Sequence, residues 1–334
     1  MRKLNKFEFI LITAISFLFL FTTNKVHAAK VGGIAIEPVY ASNQITKNGF
    51  LNPKVKPGAY QDFEMNVLSM SNKSQDVTIK PHTAYTSEGI SISYDKDKII
   101  NTSNLQYDFR SLFKNKSLTF KLPAGSAYKI RFRAKIPEKS FSGLIMGGFY
   151  ITTNDSIAKG QDTGTTITNK YSYVMPAILN EDGAKAVPKL SLGNIETKGK
   201  FVNSKIYNKR PSYINSMSIY SKITDSDNKT VSEYESKDNS VAPNSHFNVT
   251  NLVYSGAIRP GNYHIKIVAK STDPYKWVME KDFSVSSSQY IGYIIGNNQW
   301  IIYIILLLML IILLLIIILF KRRRKNKQED TIKK

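Results

Sequence analysis

Histidine, serine and lysine are the residues of this chain whose spacing invites a catalytic reading. Of its four histidines, His82, His246 and His264 follow the N-terminal apolar segment, and they lie far apart in sequence. There is no H-E-x-x-H and no cysteine, so a zinc peptidase and a cysteine nucleophile both lack their parts. Ser111-x-x-Lys114 and Ser126-x-x-Lys129 match the S-x-x-K pattern of active-serine penicillin-binding enzymes, and Ser226-Asp227-Asn228 matches S-D-N. The third element, K-T-G, is missing, and Ser126 opens an alternating strand where that nucleophile needs a helix start. Asp95-x-Asp97 and Asp225-x-Asp227 raise calcium. The fifth position of an EF-hand loop would then fall on Ile99 or Lys229, and the turn glycine is absent, so both pairs read as turns. The expectation is a protein that is not an enzyme and has no metal site and no cofactor.

The elements that would position any binding residues begin between two topogenic ends. Arg2, Lys3 and Lys6 precede an apolar run over 9–21, and Val26-His27-Ala28 offers small residues at a cleavage site, which reads as a signal peptide over 1–28. Residues 300–320 carry no charge, and about 20 apolar residues suffice to cross a bilayer core. Trp300 and Tyr303 mark the outer end of that run, and Lys321-Arg322-Arg323-Arg324-Lys325 follows it. Amphipathic aromatics prefer the interface and basic residues stay cytoplasmic. The expected topology is a single-pass cell-membrane protein, its N-terminal part outside in the cell-wall zone and its tail, 321–334, inside.

The net charge of +21 divides accordingly. The tail holds eight Lys/Arg against two Asp/Glu, +6; the signal segment holds four against one, +3; the remainder holds 34 against 22, +12. That remainder suits an anionic surface such as a cell wall with its teichoic acids. Nucleic acid is excluded as a partner, because no basic cluster of the exported part exceeds a few residues. The absence of cysteine favours a bacterial surface over an animal extracellular module.

Period-two alternation dominates the exported part. Tyr128, Ile130, Phe132, Ala134 and Ile136 alternate with Lys129, Arg131, Arg133 and Lys135, and Phe63, Met65 and Val67 alternate with Asp62, Glu64 and Asn66. Such strands bury one face and wet the other. Turn signals such as Lys56-Pro57-Gly58, Ser87-Glu88-Gly89 and Leu122-Pro123-Ala124-Gly125 separate them. The predicted fold is all-β: two consecutive immunoglobulin-like β-sandwiches over 29–155 and 165–287, joined by a linker over 156–164, with a stalk over 288–299 and one C-terminal transmembrane helix. Trp277 shares a phase with apolar neighbours and reads as a core position. Gly147-Gly148, inside the apolar run 141–152, predicts a bulge or a close backbone approach.

Many small features in order resemble the WxL-interacting proteins of Gram-positive bacteria. In the first half these are Pro38, Asn43-Gln44, Pro57-Gly58, Ala84-x-Thr86-x-x-Gly89 and Phe141-x-Gly143 with Gly147-Gly148. In the second half they are Tyr171-x-Tyr173-Val174, Asn208-x-x-Pro211, Ala242-Pro243-Asn244-Ser245-x-Phe247 and Pro260-Gly261-x-Tyr263. Where that family usually has a glycine after the tyrosine-valine segment, this chain has Met175-Pro176, which predicts a bent or edge strand. The resemblance implies a peptidoglycan-binding module followed by a host-binding module. It also implies partners in peptidoglycan, a WxL-domain surface protein or a host extracellular protein, and contact with the membrane through one helix. Asn43, Gln44, Tyr85, Thr86, Asn244 and Tyr275 are the expected ligand-binding residues, as polar or aromatic positions in or beside these motifs. A host adhesin without a wall role and a strand-exchanging assembly subunit are the alternatives; a wall-modifying enzyme comes last.

Overall fold

A computed structural model of the chain describes residues 33–98, 105–153, 172–181, 186–272, 274–298 and 300–332. The expected signal peptide and the 156–164 linker lie outside the described residues. The first sandwich packs a three-stranded sheet of β1 (Ile34–Val39), β2 (Tyr60–Ser69) and β7 (Ala127–Lys135) against a four-stranded one. The second sheet runs in the order β6 (Leu118–Leu122), β3 (Gln75–Thr83), β8 (Ile145–Thr153) and β9 (Ser172–Leu179). A short hairpin of β4 (Tyr85–Thr86) and β5 (Ile92–Ser93) stands apart from both.

The alternation in sequence becomes the inside and outside of these sheets. Phe63 pairs with Phe132 and Met65 with Ile130, so the apolar faces of β2 and β7 point the same way. The charged positions between them pair on the wet face, where Arg133 Nε meets Asp62 Oδ1 at 2.7 Å. The core closes on Phe63, Phe109, Phe113, Phe132 and Phe149, with Phe132 and Phe149 ring centroids 5.0 Å apart. Phe109 comes from a single 3-10 turn, Phe109–Leu112.

Gly147 and Gly148 fall in the middle of β8, which keeps regular register with both neighbours. The close approach is present and the bulge is not. A Cβ on Gly147 would overlap the Phe109 ring and sit 2.6 Å from the His82 carbonyl, and one on Gly148 would meet Val174 at 2.9 Å. Gly147 makes room for the Phe109 ring on the core side, and Gly148 for Val174 and Tyr94 on the other face.

One boundary moves. Strand β9 lies within the segment expected to open the second sandwich, yet it pairs along β8 from Ile145–Leu179 to Thr152–Ser172. Its Met175, Ala177 and Leu179 belong to the first core, so burial of that face assigns the strand. Pro176 stands in this edge strand, as the missing glycine predicted. The outer edge of β9 is not bare. Residues 51–55 run parallel beside it, Leu51 N donating to Pro176 O, Ile178 N to Leu51 O and Val55 N to Asn180 O.

The second sandwich packs β10 (Leu190–Lys198), β11 (Phe201–Asn208) and β14 (His246–Leu252) against β13 (Thr230–Val241), β12 (Ile214–Asp225), β15 (Gly261–Lys270) and β16 (Lys276–Val285), in those spatial orders. Val202, Ile206, Met217, Ile223, Phe247, Ile265 and Ile267 form its core. Trp277 is only half-buried against that core and stacks on Tyr275 at 6.0 Å. The segment expected as the stalk is largely helical. Helix α1 (Ser287–Asn297) starts at a complete capping box between Ser286 and Gln289. Helix α2 (Trp300–Ile332) follows, and its Trp300–Arg322 stretch is long and apolar enough to cross a membrane.

Candidate functional site

The two sandwiches meet through the loop that joins β4 to β5. Ile90, at its tip, has φ +52° and is 3 % exposed, and its side chain belongs to the core of the second sandwich. A β-branched residue rarely enters the left-handed region, and burial together with hydrogen bonds on both flanks holds it there. Ser240 N donates to Ile90 O at 2.9 Å, and Ile92 N donates to Ser240 Oγ at 3.0 Å. Ala84, Met146, Ile178 and Ala242 form a smaller apolar cluster drawn from both sandwiches. On the same joint Leu144 N donates to Pro211 O at 2.8 Å, across from Gly143 at φ +81°, whose absent Cβ would sit 2.6 Å from that oxygen.

The residues that carry the first sandwich's side of the joint are themselves anchored. His82, buried on β3, points Nδ1 at Tyr94 O (2.6 Å) and Nε2 at Asp97 Oδ1 (2.8 Å), and its ring stacks on Tyr150. Burial raises the Asp97 carboxyl, but hydrogen bonds from His82 and Lys80 outweigh it and leave the group below its ordinary value. Asp95 is also held down, first by the Tyr85 hydroxyl at 2.6 Å, against burial, and then by Ser93. The two carboxylates once weighed for calcium thus serve different donors. Among the described residues no group of three or more His, Cys, Asp or Glu could hold a metal ion.

The open surface lies on the other side of the joint, around residues 43–57. Gln44 staples this loop: Nε2 donates to Thr46 O and Phe50 O, and Oε1 accepts from Asn52 N. Asn43 Nδ2 donates to Lys54 O and Gln61 Oε1, and its Oδ1 accepts no hydrogen bond among the described residues. The loop is flanked by two hollows. One, of about 720 Å³, is lined by Asn43, Gln44, Lys54, Lys56, Ser140 and Glu181 among others. Glu181 there is engaged by the Ser140 hydroxyl and Phe141 N, whereas Lys54 and Lys56 have no carboxylate partner among the described residues. The other hollow, of about 300 Å³, runs between the sandwiches, with Ile45, Phe50 and Asn52 on one wall and Pro188, Tyr213 and Tyr275 on the opposite one. Asn52 Oδ1 is buried without a partner, an omission that costs on the order of 1–3 kcal/mol unless a donor arrives.

The six expected ligand-binding residues separate into three places. Asn43 and Gln44 line the larger hollow, and Tyr275, more than 200 positions away in sequence, lines the narrower one. Thr86 and Asn244, 7 % and 8 % exposed, sit in the buried joint instead. Thr86 Oγ1 accepts from Ala242 N at 3.0 Å and lies 2.5 Å from Ser245 Oγ, while Asn244, at φ +48°, donates its N–H to Arg210 O. Tyr85 faces Asp95, with Lys96 Nζ 4.4 Å over its ring. Sequence reasoning missed Ile90, Lys54, Lys56 and Asn52. The signal for Ile90 was a lone apolar residue directly after the Ser87-Glu88-Gly89 turn; the others had none.

Two family models match the chain, in order. The one described as "WxL Interacting Protein, peptidoglycan binding domain" covers residues 35–153, and "WxL Interacting Protein, host binding domain" covers 162–291. No curated protein matches the chain. Solved structures similar in part include a chaperone–tip adhesin complex of CFA/I fimbriae, 16 % identical over 74 % of this chain and 98 % of that one, TM-score 0.32. Another is the CsuC–CsuE chaperone–tip adhesion subunit complex of Acinetobacter baumannii, 10 % identical over 74 % and 98 %, TM-score 0.36. The E. coli chaperone DraB is 12 % identical over 76 % and 97 %, TM-score 0.31. These scores are too low to argue from. With both modules matched in sequence order across most of its length, the chain belongs to the WxL-interacting protein family.

Proposed function

We propose that this surface binding protein, built of a peptidoglycan-binding and a host-binding module, holds peptidoglycan in the hollows that flank residues 43–57. It performs no catalysis, and its sandwiches stand outside the cell with the basic tail of α2 in the cytoplasm. One observation carries the site: Lys54 and Lys56, both without an ion-pair partner among the described residues, line the larger hollow beside Asn43. Peptidoglycan combines sugar hydroxyls and amides with stem peptides that end in carboxylates. The Asn43 Oδ1 suits a hydroxyl or amide donor, and two cations suit a carboxylate through charge-assisted hydrogen bonds. Tyr275, stacked on Trp277, gives the narrower hollow a rigid aromatic wall. Because that wall belongs to the second module, both modules shape the site. Strand exchange needs an open sheet edge, and residues 51–55 take the β9 edge, one of several, out of that reading.

Sedimentation of the detergent-solubilised full chain with purified peptidoglycan tests the site. Replacing Lys54 and Lys56 together by serine should weaken binding by about tenfold or more, the equivalent of about 1.4 kcal/mol. Undiminished binding by that variant would remove the hollow from consideration.

A further inference from the structure

The pole of the second sandwich opposite the joint gathers two loops and a helix of one character. The turn between β10 and β11 presents Lys198 and Lys200 around Gly199, followed by the exposed Phe201. The loop between β14 and β15 presents Arg259 and Tyr254, the latter 83 % exposed. The two are tied together, Val253 N donating to Lys200 O and Ile258 N to Gly199 O. Lys198, Lys200 and Arg259 have no ion pair among the described residues. The neighbouring β12–β13 turn differs: Asp225 accepts from the Asp227 and Lys229 amides, and Lys229 reaches Asp227 at 4.0 Å, so its charges are turned on one another.

Helix α1 lies against this pole. A Cβ on Gly199, at φ +61°, would overlap the Tyr293 ring, and Tyr290 and Tyr293 line a narrow gap with Ala257, Ile258 and Val285. Ile291 stays exposed on the same helix. The apolar helix begins at Trp300, seven residues after Tyr293, and Ile301 N donates to Asn298 O across the break between the two helices. The bilayer surface must therefore start within a few residues of this pole. An aromatic and basic composition belongs at that depth, because ring side chains favour the interface and cations are drawn to anionic headgroups.

We infer that Lys198, Lys200 and Arg259, with Tyr254, Phe201 and Ile291 between them, form a second contact with the membrane, seated on anionic lipid headgroups. The inference rests on α2 as a membrane span. It makes the second sandwich a plinth fixed by helix and headgroups together, so that the joint at its far pole holds the first sandwich at a set height toward the wall.

The chain has no cysteine, so Ser255→Cys in the β14–β15 loop supplies a single thiol for an environment-sensitive fluorophore. The labelled full chain is reconstituted into phosphatidylcholine vesicles with and without phosphatidylglycerol, some lipids carrying a headgroup spin label as quencher. Co-flotation reports insertion of α2 independently of the fluorescence, and Asn48→Cys in the first sandwich serves as the distant control. The expected result is quenching at position 255 in anionic vesicles, reduced in neutral ones, absent at position 48, and lost when Lys198, Lys200 and Arg259 are all replaced by serine. Flotation without quenching at 255, or quenching unchanged in the triple variant, overturns the headgroup contact. Failure to float overturns the span, and the inference with it.

Discussion

Ile90 and Ser240 join the two sandwiches: the Ser240 amide donates to the Ile90 carbonyl at 2.9 Å while the Ile90 side chain fills the other module's core. A residue of one module that completes the core of the other couples their unfolding. The wild-type chain should show a single ectodomain transition in differential scanning calorimetry. Ile90→Asp, which buries a charge without a partner, should split it into two; one unsplit transition would show that the joint contributes little.

Gly143 faces Pro211 across the same joint. Ala at 143 meets both the positive φ and a backbone oxygen 2.6 Å from its Cβ. Neither can yield without moving the chain, so Gly143→Ala should open the joint while each sandwich stays folded. Small-angle scattering should then give a larger radius of gyration, with circular dichroism unchanged.

The glycine doublet of β8 makes a contrasting pair with a glycine of α1. Gly147→Ala would press on Phe109 and the His82 carbonyl, and overpacking of this kind costs about 1–3 kcal/mol. Gly292 has nothing within 4 Å of an added Cβ, and Gly→Ala in a helix interior stabilises by up to about 1 kcal/mol. Urea denaturation should move the midpoint down for the first and leave it level or raise it for the second.

Acid should loosen the loop that carries Ile90. The Asp95 carboxyl is held below its ordinary value by the Tyr85 hydroxyl, so its contribution is fully present above the ordinary carboxylate range. It is lost as pH falls through the lowered folded value. Tyr85→Phe removes the donor, and the acid-dependent part of the melting temperature should shrink in that variant. An identical pH profile would exclude the pair as a source of acid sensitivity.

Much of the fold was legible because alternation of the kind seen over 128–136 translates directly into a half-buried strand. The strand partners were less so. Strand β9 follows a polar stretch that looks like a module boundary, and its pairing with β8 and the burial of Met175, Ala177 and Leu179 place it in the first sandwich. The residues expected to bind a ligand divide among three places for a related reason. Family motifs mark what the backbone cannot change, and several of them, Gly143, Thr86, Pro211 and Asn244, turn out to build the joint. Asn43 and Gln44 reached the open hollow because the loop they staple forms its wall. Lys54 and Lys56 carried no signal among the 46 Lys/Arg of the chain, since an unpaired lysine differs from a paired one only in three dimensions.

Hydrogen exchange of the full chain, with and without soluble peptidoglycan fragments, tests the central claim most directly. The account predicts slowed exchange at residues 43–57, 140–144 and 212–213, which surround the two hollows, and no change on the wet face of β2 and β7. Protection confined to that charged face, with 43–57 unaffected, would contradict it.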